Sequence, residues 1–314
     1  MSLFIRKPGM LTTVQDLGRF GARRFGVNPG GVMDTTAARV ANILVGNNDA
    51  AAVLEMHFPA AEIEFEADAF FALAGADFDS RLDDAPVANW TGATAPKGSV
   101  LKFAGKRSGS RAYLAMTGGF HVEKWLGSAS TNLVAGVGGL SGRKLVAGDR
   151  FDCGEYQETR QVTAGPSVIP RYSRLPTVRI IPGNEFEYLT APSERAFLRD
   201  GFTMTNDCDR MGYRLRGREL HLLNDIQMVS SAVTFGTIQL LPDGQLIVLM
   251  ADHQTAGGYP RIASVIPVDL PILAQCGPGD GVSFDLITID DAERLAIRFE
   301  TELKFLRLGC KLQK

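Results

Sequence analysis

The chain has 314 residues, with 33 Lys and Arg against 35 Asp and Glu, so its formal net charge is −2. That balance excludes a nucleic-acid footprint or a polybasic membrane patch. A hydrophobic share of 45% excludes disorder, and no apolar run approaches the ~20 residues of a membrane span. A length of this order favours two domains that fold without disulfides or metals. The 34 glycines and 15 prolines point to many tight turns. Cys153, Cys208, Cys276 and Cys310 are scattered with no C-x-x-C pair, and the N-terminal residues lack a secretory apolar run. These features predict a cytoplasmic protein with reduced thiols.

In chain order, Leu3 to Arg6 reads as a strand stopped by Pro8-Gly9. Leu11 to Met33 is punctuated by Gly18, Gly21, Gly26, Gly30 and Gly31, which predicts no regular element there. Asp34 can cap a buried helix running through Ala37, Ala38, Val40, Ala41, Ile43 and Leu44 to a stop at Gly46. Short strands follow at Ala61–Phe65, Phe70–Ala74, Val100–Phe103 and Arg111–Met116, with turns at Asp83-Asp84 and Pro96-Lys97-Gly98. Thr117 to Gly142 is glycine-rich again. Leu145 to Phe151 contains a hairpin turn at Ala147-Gly148-Asp149.

The polar stretch from about 153 to 176, with Pro166, Pro170 and Pro176, predicts a boundary between domains at 1–165 and 176–314. Beyond it, Val178–Ile181 reads as a strand and Pro192–Arg199 as a helix ended by Gly201. Further strands are expected at Arg214–Leu215, Val233–Leu240, Gln245–Met250, Ile262–Ile266 and Gly281–Phe284. Asp290 and Glu293 have the spacing of a capping box. It opens a last helix with Ala292, Leu295, Ala296, Phe299, Leu303 and Leu306 on one apolar face. Many short strands with few helices predict a mainly β chain of two barrel domains.

No G-x-x-x-x-G-K-[ST] loop and no G-x-S-x-G elbow occurs, and no lysine sits in an Ala-Met-Lys-Met setting that would carry covalent biotin. His57, His121, His221 and His253 are dispersed, so no metal site is expected. Three polar clusters stand out in glycine-rich sequence: Thr12–Arg19, Asp209–Arg214 and Ala251–Arg261. In the first, a hydrogen bond between Asp16 and Arg19 would make merely an ordered loop. In the second, Arg210 and Arg214 could be solvated arginines beside a strand. The third delivers Asp252, Gln254, Thr255 and Tyr259 into a glycine turn directly after an apolar strand, a common way to build a site.

These clusters also carry a family likeness. Thr12–Asp16, Gly18-Arg19, Gly31, Met33-Asp34, Leu54-Glu55, Gly118-Gly119, Gly138-Gly139-Leu140, Arg210–Leu215, Gly236–Gln239 and Asp243–Pro260 occur in that order. They resemble the family of 5-oxoprolinase C subunits, also called allophanate hydrolase subunit 2, which is biotin-dependent-carboxyltransferase-like. The likeness spans nearly the whole chain. An arginine common after Asp252 is His253 here. The resemblance implies two cyclophilin-like β-barrel domains. It implies work beside two 5-oxoprolinase partners, one of the B type (allophanate hydrolase subunit 1-like) and one of the A type. With ATP as cosubstrate, that complex opens 5-oxoproline (pyroglutamate) to glutamate. The alternatives it implies are a carboxyltransferase component for a urea- or amide-type acceptor with a separate biotin carrier, and a non-catalytic regulatory binding protein.

Carried over by motif, Asp252, Arg210 and Tyr259 are the expected catalytic residues. Gln15, Asp16, Arg19, Tyr213, Arg214, Gln254, Thr255, Gly257 and Gly258 are the expected substrate contacts. Arginine suits the anion because its planar fork grips a carboxylate or phosphate at two points. Asp252 is expected to move or orient a proton, and Gln15, Asp16 and Arg19 to shape another wall.

Overall fold

The computed structural model describes residues 1–155, 161–224 and 228–312. The chain divides into two compact units. The first comprises Met1–Phe20, Gly30–Arg171 and Phe299–Lys314; the second comprises Gly21–Pro29 and Tyr172–Arg298. The chain is mainly β with four α-helices among the described residues.

In the first unit, β1 (Ser2–Lys7), β4 (Glu62–Phe65), β6 (Ser80–Leu82), β7 (Ala85–Pro86), β9 (Val100–Phe103) and β11 (Arg150–Asp152) form one sheet, in the order β11-β1-β4-β9-β6-β7. A second sheet has the order β2-β3-β10-β5-β8, from β2 (Thr12–Gln15), β3 (Val53–His57), β5 (Ala69–Asp77), β8 (Thr91–Ala95) and β10 (Ser108–Met116). Alternation in β1 and β4 sends Leu3, Ile5, Ile63 and Phe65 inward, where they meet Phe71, Leu114 and Phe151 in one apolar core. Helix α1 (Thr35–Leu44) packs on β5 and β10, and apart from Thr35 and Arg39 all of its residues are buried. Its N-cap is Asp34, whose Oδ1 accepts from the Ala37 N–H at 2.8 Å, as the sequence predicts. Gly46, at φ 79°, then takes the chain out of the helix.

The second unit is a closed barrel in the order β12-β19-β16-β17-β14-β13-β20. Its strands are β12 (Thr177–Pro182), β13 (Phe202–Cys208), β14 (Gly212–Arg216), β16 (Thr237–Leu240), β17 (Leu246–Leu249), β19 (Arg261–Val265) and β20 (Gly281–Leu286). A two-residue ladder, β15 (Ser231–Ala232) with β18 (Ala256–Gly257), ties two loops outside the barrel sheet. The barrel closes through a parallel pairing of β12 with β20, its first and last strands. Helix α2 (Ala191–Arg199) contributes Phe197, which packs against Phe284 and Phe202 at ring separations of 5.0 and 6.3 Å. Helices α3 (Leu270–Ala274) and α4 (Ile289–Leu312) complete the set.

Four expectations need correction. The glycine-punctuated stretch holds a regular element after all, because Thr12–Gln15 pairs as β2 with β3 (Thr13 opposite Glu55) and is buried throughout. The strand expected from Val233 starts only at Thr237. Residues 145–149 turn without joining two strands: the Leu145 and Gly148 amides donate to the Thr12 and Ile5 carbonyls, and only Arg150–Asp152 is extended. The box opening α4 belongs to Thr288, not Asp290: Thr288 Oγ1 accepts from the Asp291 N–H at 3.1 Å and donates to Asp291 Oδ2 at 2.6 Å.

Candidate functional site

The N-terminal cluster lies in the first unit. The buried Asp16 carboxylate accepts four hydrogen bonds: at Oδ1 from Ser128 Oγ (2.6 Å), Ser130 Oγ (2.6 Å) and the Gly18 N–H (2.8 Å), and at Oδ2 from the Ala129 N–H (2.7 Å). Arg19 is not among these donors. Its guanidinium donates instead to the Ser130 carbonyl and stands over the Trp125 ring, 5.1 Å from its centroid. Gln15 Nε2 donates to Thr13 Oγ1 (3.1 Å) and the Thr131 carbonyl (3.2 Å). Together these bonds dock the 128–131 loop on β2. Asp16 also touches a cavity of about 480 Å³ lined by Gly118–Val122 and Lys124.

The other two clusters meet in the second unit. Arg210 follows β13 and Asp252 follows β17, and β14 pairs with both strands. Their loops therefore leave the barrel side by side. Arg210 Nε reaches Asp252 Oδ2 at 2.8 Å and Nη2 reaches Oδ1 at 3.1 Å, a two-point pair with both side chains largely buried. The Asp252 N–H donates to the Arg210 carbonyl at 2.7 Å, so backbone and side chains lock the same two residues.

The loop continues through His253, whose Nδ1 donates to the Gln254 carbonyl at 2.5 Å, which fixes the proton-bearing nitrogen. Burial, with the nearby Arg23 charge assisting, holds the His253 pKa below its ordinary value against the opposing pull of that hydrogen bond and Asp252. Gly257 is buried, and a Cβ there would stand 2.6 Å from Gln239 Nε2. Gln239 Nε2 also donates to the Tyr259 carbonyl at 3.3 Å. Tyr259 itself is exposed, as is Gly258; Gln254 and Thr255 are half-buried.

Tyr213 and Arg214 part company. Alternation along β14 buries Tyr213 and exposes Arg214, which lines a cavity of about 380 Å³ with Asp207 and Asp209; the ion pair of Asp252 is with Arg210. Arg210 is thus the arginine that joins the Asp252 loop.

Two residues of the second-unit cluster carry no sequence signal. Asn28 Nδ2 donates to the Asp252 carbonyl at 2.8 Å, and the Arg23 guanidinium donates to the carbonyls of Val233 and, at 3.3 Å, Thr255. Gln239 does carry one, since it lies on an expected strand inside a block that matches the family. Among the described residues, no group of three or more His, Cys, Asp and Glu is arranged to hold a metal, and no helix is long and apolar enough to cross a membrane.

The chain belongs to the carboxyltransferase domain, subdomain A and B family, whose model matches residues 25–286 and so takes in both the Arg210 and the Asp252 loops. Among curated proteins, it is 39% identical over 312 residues to the C subunit of 5-oxoprolinase from Escherichia coli, covering 99% of this chain and 98% of that protein. It is 38% identical over 295 residues to the C subunit of the Haemophilus influenzae 5-oxoprolinase, covering 94% of each. Among solved structures, the K. lactis urea amidolyase superposes with a TM-score of 0.91 at 25% identity; the match covers 97% of this chain but only 20% of that one.

Proposed function

We propose that this chain is the C-type subunit of an ATP-dependent 5-oxoprolinase, which opens the cyclic amide of 5-oxoproline to glutamate and turns over only with its B-type and A-type partners. The observation that carries this reading is likeness to two 5-oxoprolinase C subunits along almost their full length. The reaction takes 5-oxoproline, ATP and two waters to glutamate, ADP and phosphate: one water adds across the ring C–N bond, the carbonyl carbon taking the hydroxyl and the nitrogen the proton, and the second is consumed as the terminal phosphoanhydride bond of ATP breaks. ATP enters as cosubstrate of the complex.

The Asp252 loop suits the proton-handling part of that chemistry. Arg210 holds both Asp252 oxygens, so the carboxylate is oriented before substrate arrives. Asp252 carries or orients the proton bound for the ring nitrogen. The exposed Tyr259 hydroxyl and the Gln254 and Thr255 side chains supply hydrogen bonds to the amide and to the substrate carboxylate. Gly257 and Gly258 let the loop backbone approach the ligand.

A second reading has its own support in the family description and in the likeness to urea amidolyase: a carboxyltransferase component serving a separate biotin carrier. Glutamate formation from 5-oxoproline and ATP, with the partner subunits present and this chain added or withheld, separates the two. Activity that needs this chain supports the first reading. Activity unchanged without it overturns that reading and favours the second.

A further inference from the structure

The excursion of residues 21–29 departs from its sequence neighbours: Phe20 and Gly30 belong to the first unit, whereas Gly21–Pro29 belongs to the second. Gly21 and Gly26, at φ 88° and 77°, and Gly30, at 61°, permit the sharp departures this route needs. Two side chains of the excursion end on main-chain oxygens of the Asp252 loop. Asn28 takes the carbonyl of Asp252 itself, and Arg23 takes that of Thr255 together with Val233.

We infer that Arg23 and Asn28 are positioning residues of the Asp252 site, fixing the backbone of residues 252–255 from a segment more than two hundred residues upstream. The inference rests on the reading of Asp252 as the working carboxylate. With Asn28 in place, Asp252 is held at its N–H by the Arg210 carbonyl, at its side chain by the Arg210 fork, and at its carbonyl by Asn28. Remove Asn28 and the peptide plane between Asp252 and His253 loses the tie on its oxygen.

Arg23 acts one step further along. The Thr255 carbonyl already accepts a long 3.4 Å bond from the Val233 N–H, and the Arg23 guanidinium bridges both carbonyls at that crossing. The loop that presents Gln254 and Thr255 is thereby pinned to the loop entering β16. A displacement of about 1 Å in a reacting group costs on the order of 10²-fold in rate, so holding this backbone is a catalytic matter even for side chains that touch no substrate. Arg23 also contributes to the field at His253: after burial and the Gln254 hydrogen bond, its charge and the opposing charge of Asp252 act on that imidazole.

The test compares Asn28→Ala, Arg23→Ala and the conservative Arg23→Lys with Asp252→Ala, in the complex reconstituted with partner subunits and ATP. Asn28→Ala and Arg23→Ala should lower kcat by about 10–10²-fold with a much smaller change in KM, and Arg23→Lys should recover part of the loss. On the chain alone, hydrogen exchange should quicken at residues 252–255 and stay unchanged in the barrel strands. The His253 imidazole should titrate at higher pH in Arg23→Ala, because a repelling cation is gone. If Asp252→Ala is inactive but Asn28→Ala and Arg23→Ala keep wild-type kcat, or if the exchange and the His253 titration do not move, the inference is overturned. Full activity in Asp252→Ala overturns the underlying reading instead. A general rise in exchange across the barrel would show a structural role and also overturn the inference.

Discussion

Arg210 and Asp252 face each other through two N–H···O contacts of 2.8 and 3.1 Å, while the Asp252 amide bonds back to the Arg210 carbonyl at 2.7 Å. The two residues form one unit, and removing either takes from a largely buried charge the partner it is paired with here. Arg210→Ala and Asp252→Ala should each cut glutamate formation by the reconstituted complex about 10²–10³-fold. The double variant should be scarcely worse than either single, because both remove the same device. Fully multiplicative losses would mean that the two side chains act separately.

Asp16 gathers two serine hydroxyls and two backbone amides, which is the work of a loop anchor. Asp16→Ala should destabilise the protein by about 3–5 kcal/mol, since buried donors lose a charged acceptor. Asp16→Asn keeps the shape and should lose less. Urea midpoints measure both. Activity per folded molecule should stay within a few-fold of wild type; a hundredfold loss with normal stability would assign Asp16 to the chemistry.

Gly138 sits at φ 73°, and a Cβ there would stand 2.1 Å from the Ser130 carbonyl oxygen and 3.2 Å from an Arg19 nitrogen. Neither the backbone angle nor the backbone neighbour can yield cheaply. Gly138→Ala should therefore cost more than about 2 kcal/mol in a urea titration. Gly148→Ala meets nothing within 4 Å and bears only the cost of its own φ of 93°, so it is the matched control.

Glu185 holds Arg261, two residues beyond Tyr259, through 2.9 and 3.0 Å side-chain bonds and a 2.8 Å bond from the Arg261 N–H. Burial alone would raise the Glu185 pKa, but the hydrogen bonds and charge of Arg261 outweigh it and hold the carboxyl below its ordinary 4.5. A depressed carboxylate contributes stability above its unfolded pKa and loses it as pH falls through the folded value. Stability should thus decline below about pH 4.5, and Glu185→Gln should flatten that decline while lowering stability at pH 7. An acid limb identical in the variant would remove Glu185 from the account.

Local signals in the sequence find local structure. The Asp34 cap and the α1 body, the strand at Val100–Phe103 and the helix ending at Arg199 are set by neighbours within a few residues. Strand β2 is hidden because its pairing with Val53–His57 is not a local property, and the glycines around it speak louder than four buried residues. The separation of Tyr213 from Arg214 is in principle legible, since consecutive residues of a strand point to opposite faces. Asp252 can be named from its polar, glycine-bordered setting, whereas Arg210 is singled out only by the family motif. Their contact needs the topology that seats β14 between β13 and β17. Arg23 and Asn28 have no local mark at all, because their role depends on where a distant loop passes.

The parallel pairing of β12 with β20 also bears on the protein's birth on the ribosome. A nascent chain that has passed residue 182 holds one edge of the barrel and must wait for residues 281–286 before the cylinder can shut. The first unit waits as well: Arg39 and Asp49, made early, find Glu300 and Arg307 of α4 only after another 250 or more residues. Contacts so distant in sequence form slowly, because a long loop must close before they return any stabilisation. The barrel's open sheet edge is therefore exposed until residues 281–286 emerge, and this is the interval in which a chaperone would be of most use to the chain.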